Sequence, residues 1–127
     1  MTIQYSILFS SKVSNLSSLN SWEAQVRKGI LEFLVLTELS ASKGGYGYDI
    51  FQKIKIKPSM DVTESAIYPI LNKLAKDGLL ESVKEKSALG PPRRRYSVTA
   101  LGEVRRLHMS YFIKDLITTL EENTKKL

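Results

Sequence analysis

A glycine followed by two prolines, Gly90-Pro91-Pro92, limits what this chain can fold into more than any other feature. Proline fixes the backbone φ angle and glycine adopts angles that other residues avoid, so the chain is expected to turn sharply here. Residues 96–98 read as a strand after the turn, and residues 80–86 alternate loosely between apolar and polar before it. The sequence therefore predicts a β-hairpin. Against one acid, Glu85, its tip carries five cations: Lys84, Lys86, Arg93, Arg94 and Arg95.

The charge of this tip indicates the kind of partner. Adjacent arginines repel one another unless an anion approaches, and the guanidinium fork matches phosphate oxygens and guanine edges. The whole chain has a formal net charge of +6 and an isoelectric point near 9.6. Residues 84–95 supply much of this excess, with five positive charges and one negative charge. Nucleic acid is the partner that such a balance favours, whereas a solvated charge run is the alternative for the cluster alone.

Three helices are predicted before the hairpin. The first runs from an N-cap at Ser21 to Lys43-Gly44-Gly45 and is apolar on almost every side, which is typical of a central or partner-facing helix. The second begins near Tyr46. The third covers roughly residues 63–77, with Pro69 beyond its first turn, where proline is expected to delay or kink the helix.

A fourth helix follows the hairpin, with Thr99 as its N-cap and an apolar pattern from Leu101 to Leu120. Its apolar residues occupy two faces, more than one small domain can cover, so a second subunit is expected to bury one of them. The first helix carries a matching apolar excess. The predicted dimer contacts are Leu31, Leu34, Val104, Leu107, Tyr111, Phe112, Leu116 and Leu120.

Composition excludes several classes of protein. With 43% hydrophobic and 25% charged residues the chain is globular, and its 127 residues suffice for one core. The absence of cysteine rules out disulfides and thiolate sites, which fits a cytoplasmic location, and no apolar run reaches the length of a membrane span. No nucleophile with a base, carboxylate pair or metal-ligand cluster is recognisable. We therefore expect neither enzymatic activity nor a metal or cofactor.

Three helices followed by a basic hairpin describe a winged helix-turn-helix, a mainly α fold with a small β-hairpin, here extended by a long C-terminal dimerisation helix. The expected division is a flexible, serine-rich extension over residues 1–21, a DNA-binding domain over residues 22–98 and the dimerisation helix over residues 99–127.

Four segments resemble the PadR-like transcription regulators. Residues 27–36 (RKGILEFLVL) and 46–50 (YGYDI) are similar to the opening signature of that family. Residues 67–74 (IYPILNKL) resemble its recognition-helix motif, and residues 90–102 (GPPRRRYSVTALG) resemble its wing and the start of its last helix. The segments follow one another in the family's order.

The resemblance implies a homodimer that binds double-stranded DNA at a palindromic operator and regulates transcription, as a repressor in our interpretation. The third helix is expected in the major groove, with the Tyr68-Pro69 pair inside it, and the hairpin along the neighbouring backbone. Some relatives bind planar or phenolic effectors between subunits through aromatic residues of the first and last helices. A small aromatic effector at the dimer interface is therefore a further expectation, with Trp22, Phe33, Tyr111 and Phe112 as candidates.

The predicted DNA contacts fall on the third helix and the hairpin. Alternatives stay open for several: Thr63, Glu64 and Ser65 also suit helix capping, and Tyr68 also suits covering the helix surface. A winged-helix protein-interaction or RNA-binding accessory module is the alternative function. The predicted contacts are Thr63, Glu64, Ser65, Tyr68, Lys73, Arg93, Arg94 and Arg95.

Overall fold

The computed structural model describes residues 17–125. Within that range the chain forms four helices and three short strands. In chain order these are α1 (Ser17–Ser42), β1 (Gly45–Tyr46), α2 (Gly47–Lys55), α3 (Glu64–Lys76), β2 (Leu80–Glu85), β3 (Arg93–Val98) and α4 (Ala100–Thr124). Residues 1–30 and residues 31–127 form separate compact units, and every strand and the helices α2 to α4 belong to the second.

The first helix begins earlier than predicted. Residues 17–21 were expected to close a flexible extension, with Ser21 as N-cap, but they are already part of α1. The rest of that predicted extension lies outside the described residues. The predicted C-terminal stop is confirmed: Lys43 and Gly44 take positive φ angles of 57° and 109°, and the Gly44 amide donates to the Leu39 carbonyl at 2.9 Å. This bond is of the Schellman type that closes helices with a left-handed residue.

Helix α3 contains Pro69 without interruption, in agreement with the resemblance and against the expectation of a delayed or kinked start. Proline cannot donate a backbone hydrogen bond, so one is lost inside the helix. The helix tolerates this loss because Pro69 lies on its exposed side, while the opposite side is anchored in the core. The buried residues of α3 are Ile67, Ile70, Leu71 and Leu74.

The predicted hairpin forms between β2 and β3, with Leu80 opposite Val98 and Glu85 opposite Arg93. Two details differ from the prediction. Residues 93–95 belong to the strand and not to the loop, because backbone pairing with β2 extends that far. A third strand, β1, pairs antiparallel with β3 and gives the order β1-β3-β2.

One hydrophobic core joins these elements. It is formed by the inner sides of α1, α2 and α3 and by the base of the hairpin. Its members are Leu31, Val35, Leu36, Leu39, Ile50, Ile54, Met60, Ile67, Ile70, Leu71, Leu74, Leu79, Leu80 and Tyr96. Each fully buried aliphatic side chain contributes about 1.5–3 kcal/mol relative to exposure, so this cluster holds α3 and the hairpin in a fixed relation.

The start of α4 is tied to the end of α3. Thr99 is its N-cap as predicted: its hydroxyl oxygen accepts from the Gly102 amide at 3.0 Å and donates to the Gly78 carbonyl at 2.7 Å. Gly102 is buried, and a Cβ there would lie 2.1 Å from the Leu79 carbonyl oxygen. The fourth helix therefore crosses the chain at a point where only glycine fits.

Candidate nucleic-acid interface

The exposed side of α3 is a polar ridge opposite the core. Ser65, Pro69, Asn72 and Lys76 follow one another at helical spacing and are all exposed. Tyr68 lies beside this ridge, and the helix ends in two cations, Lys73 and Lys76. A helix with this profile can enter a groove of a nucleic acid while its other side stays in the core.

Tyr68 is held in place on both sides of its ring. Its hydroxyl donates to the Glu64 carboxylate at 2.9 Å, one turn earlier on the same helix. Its ring lies against Gly47 at the start of α2, where a Cβ would come within 2.6 Å of the ring. Partial burial and the hydrogen bond to Glu64 raise the pKa of the Tyr68 phenol, so it remains a neutral donor.

The other predicted residues of α3 fall into two groups. Thr63 occupies the N-cap position, but its side chain makes no capping hydrogen bond; its hydroxyl lies 3.0 Å from that of Ser65, and both are exposed. Lys73 instead bonds to Glu32 of α1, and this carboxylate raises the pKa of the lysine. The ion pair draws the Lys73 ammonium toward α1, at the flank of the ridge.

The three consecutive arginines of β3 have different surroundings. Side chains alternate between the two faces of a strand, and Tyr96 is buried, so Arg94 shares the face of Tyr96. Arg94 donates to the Ser82 hydroxyl at 3.0 Å and lies opposite Lys84 in the register of the hairpin. Two exposed cations thus stand side by side on this face of the sheet.

Arg93 faces the other way and stacks on an aromatic ring. Its guanidinium carbon lies 3.8 Å from the centroid of the Tyr46 ring, a cation–π contact. The Tyr46 hydroxyl donates to Glu85 at 2.6 Å, and this bond raises the pKa of the Tyr46 phenol. Arg93 remains exposed, so the stack fixes the position of the guanidinium without removing it from solvent.

Arg95 connects the hairpin to the end of α1. It donates to the Lys43 carbonyl at 3.2 Å, and its guanidinium covers Gly44, where a Cβ would lie 2.5 Å from the nearest nitrogen. A cation beside the last carbonyls of a helix is electrostatically favourable. This geometry gives Arg95 a structural role that the sequence did not indicate.

An open cleft of about 390 Å³ lies between the start of α2, the Tyr68 ring and the hairpin. It brings together three of the predicted contacts, Tyr68, Arg93 and Arg94. Thr63, Ser65, Lys73 and Arg95 do not line it. The complete lining is Tyr46, Gly47, Tyr48, Asp49, Tyr68, Pro92, Arg93, Arg94 and Tyr96.

Comparison with known proteins identifies the family. The model of the transcriptional regulator PadR-like family matches residues 35–107, more than half of the chain. The chain belongs to the PadR-like family. A PadR-like transcription factor from Bacteroides fragilis is 33% identical and superposes with a TM-score of 0.66, over 80% of this chain and 97% of that one. A PadR-like regulator from Bacillus cereus is 31% identical with the same TM-score, over 77% and 94% of the two chains.

A third PadR-family regulator, from Eggerthella lenta, is only 22% identical but has a TM-score of 0.70 and covers 95% of this chain, which supports the fold. The predicted winged helix-turn-helix and the predicted family are thus confirmed, and this PadR-like protein is a DNA-binding transcriptional regulator. None of the helices in residues 17–125 is long and apolar enough to cross a membrane.

The contact prediction omitted part of the ridge on α3. Asn72 and Lys76 are exposed at positions i+7 and i+11 from Ser65, so helical spacing alone was a sufficient signal. Lys84 was counted among the cations of the hairpin but not among the contacts, although it stands opposite Arg94. Leu89 is 97% exposed in the loop of the hairpin and gave no signal of a role.

Helix α4 of this PadR-like protein exposes apolar side chains along its length. Two predicted dimer contacts lie elsewhere: Leu31 is only 4% exposed in the core, and Leu34 is half-buried against it. The side of α1 that carries them is used within the chain itself, so neither offers the free surface that the prediction required. The exposed apolar residues of α4 are Leu101, Val104, Leu107, Tyr111, Phe112, Leu116, Ile117 and Leu120.

Proposed function

We propose that this PadR-like regulator is a cytoplasmic homodimer that binds a palindromic operator and represses transcription. The observation that carries the proposal is the exposed apolar surface of α4. Val104, Tyr111 and Phe112 are each at least 60% exposed, and more apolar side chains continue the surface to Leu120. Monomeric proteins rarely expose so large a contiguous apolar patch, whereas subunit interfaces are built from such patches.

A second copy of the chain is the partner that suits this surface. Val104, Leu107 and Tyr111 follow the i, i+3, i+7 spacing of helices that pack side by side, and Phe112, Leu116 and Leu120 extend the pattern at i, i+4, i+8. In a two-fold symmetric pair the same patch serves both subunits. Two copies of α3 about one DNA turn apart, roughly 34 Å, would then read two half-sites of a palindrome.

Within each half, α3 is proposed to lie in the major groove with the wing, formed by β2, β3 and residues 86–92, on the adjacent backbone. Ser65, Tyr68 and Asn72 are exposed on the side of α3 that is free of core contacts, which supports their access to base edges or phosphates. Arg94 and Lys84 are placed for phosphate contacts. Repression follows if the operator overlaps a promoter, because the bound dimer excludes the polymerase from that DNA.

The proposed aromatic effector has a direct test in the same dimer. Trp22 is the only tryptophan and is 61% exposed, and Tyr111 and Phe112 are exposed on α4. Quenching of the Trp22 emission by a planar phenolic compound, together with a loss of operator affinity, would support an effector site. Unchanged emission at saturating compound would count against it.

Two measurements on the intact protein test the main proposal. Light scattering at micromolar concentration should give twice the subunit mass of 14.3 kDa. Footprinting on the intergenic DNA beside the gene should protect a two-fold symmetric site, with an affinity that falls steeply as salt rises. A monomer, or equal affinity for every duplex, contradicts the proposal; binding to RNA or an acidic protein in place of duplex DNA favours the alternative module.

A further inference from the structure

One acidic residue stands on the proposed DNA-binding side of α3. Glu64 is the first residue of the helix, is exposed, and is its only acid. Within residues 31–125 the salt bridges join Glu38, Glu32 and Glu103 to cations, and none involves Glu64. Its one side-chain partner in that range is the Tyr68 hydroxyl, at 2.9 Å.

A carboxylate in this position is costly in a DNA complex unless it meets a donor. Phosphates repel it, and a helix N-terminus returns only about 0.3–1 kcal/mol to an acid in the first turn. In the major groove, guanine presents acceptors and thymine an acceptor and a methyl group, so neither pairs with a carboxylate. Adenine offers an amino group beside the N7 acceptor, whereas cytosine offers its amino group without a neighbouring acceptor on its own edge.

The structure also orients this carboxylate. The Tyr68 hydroxyl holds one carboxylate oxygen, Oε1, and the ring of Tyr68 is itself fixed against Gly47. The second oxygen, Oε2, remains available to a donor outside the protein. A preorganised acceptor loses less side-chain freedom on binding than a mobile one, so it discriminates better between bases.

We infer that Glu64 reads the amino group of one cytosine in each operator half-site, with Tyr68 as the residue that positions the carboxylate. This inference rests on the proposed function and deepens it, since it names a base that the recognition helix selects. Glu64 thereby serves specificity and not affinity: it favours one C·G pair and disfavours every duplex that lacks this pair at that position.

Selection from a randomised duplex library, followed by measured affinities, tests this assignment. The wild type should select cytosine at one pair of symmetric positions, and replacement of that C·G pair by T·A should weaken binding about fivefold or more. Glu64→Ala should lose this preference and bind the substituted duplex more tightly than the wild type does, because a repulsive charge has been removed. Glu64→Gln should shift the selected base toward adenine, the base that a carboxamide pairs with.

Two further variants separate readout from general electrostatics. Tyr68→Phe removes only the hydroxyl, so discrimination should fall while cytosine remains the selected base. Glu122→Ala removes an exposed acid near the end of α4 and should leave discrimination unchanged. Equal strengthening of all duplexes by Glu64→Ala, with the selected sequence unaltered, would overturn the inference and leave the proposed function intact. A wild type that selects no sequence would instead overturn the proposed function.

Discussion

Replacement of Gly102 by alanine should destabilise the protein, although the same change in an open helix stabilises. An alanine Cβ would lie 2.1 Å from the Leu79 carbonyl oxygen and 2.7 Å from Val98 Cγ1, well inside the 3.0 Å below which real Cβ contacts are essentially absent. The nearest atom belongs to the backbone, so α4 or the hairpin must move by at least 0.9 Å, the difference between the 2.1 Å contact and the 3.0 Å limit. Overpacking of this kind costs about 1–3 kcal/mol or more.

The net effect follows from two opposing contributions. Helix propensity returns about 1 kcal/mol for glycine to alanine, so with the backbone clash at or above the upper end of its range we expect a loss of about 2 kcal/mol. For a domain of this size that corresponds to a decrease of about 8 °C in the melting temperature, measured by circular dichroism. Because α4 carries the proposed dimer surface, light scattering should also detect weaker association.

Gly29 provides the matched control. It lies inside α1, and in the described part of the chain a Cβ at this position meets no atom within 4 Å. Gly29→Ala should therefore raise the melting temperature by a few degrees, through propensity alone. If Gly102→Ala melts at or above the wild-type temperature, the close approach of α4 to Leu79 does not constrain the fold and this reasoning is wrong.

Three further outcomes are expected. Arg94→Ala should reduce the slope of log affinity against log salt by about one phosphate contact with the melting temperature unchanged, whereas Arg95→Ala should lower the melting temperature because the bond to the Lys43 carbonyl is lost; equal behaviour of the two variants would contradict this division. Phe112→Asp combined with Leu116→Asp should give a monomer by light scattering, with weak operator binding and an intact helical spectrum; a stable dimer would exclude α4 as the interface. Hydrogen bonding from Ser40, with a further contribution from the neighbouring arginine, lowers the pKa of Glu103 below its ordinary value of 4.5. The charged form is thus favoured in the folded state, and its stabilisation is present above pH 4.5 and lost as the pH falls through the folded pKa. Glu103→Gln should be less stable than the wild type at neutral pH, with a deficit in urea unfolding that shrinks below pH 4.5; a deficit independent of pH would contradict the assignment.

The sequence alone determined the features that depend on neighbours along the chain. The turn at Gly90-Pro91-Pro92, the helix stop at Gly44 and the cap at Thr99 each follow from backbone angles or from a side chain reaching two or three residues away. The core side of α3 follows from helical spacing. Such interactions are complete within one turn of chain, so the order of residues contains them.

Only the tertiary structure decided which polar residues remain available to a partner. The sequence presents Arg93, Arg94 and Arg95 as equivalent, but pairing of β3 with β1 and β2 turns alternate side chains to opposite faces. One guanidinium then meets Tyr46, and another meets the end of α1 at Lys43. The two-residue strand β1 has no local signal, because a strand that short exists only through its partner.

The same reason explains the residues whose predicted roles changed. Lys73 bonds to Glu32, forty-one positions away, and Leu31 is buried among side chains from other elements. Contacts between distant segments are set by how the apolar faces of the helices pack together, and no spacing rule along the chain encodes them. The sequence therefore fixes where each element begins and ends, and the packing of the core selects which of its charges and apolar residues face outward.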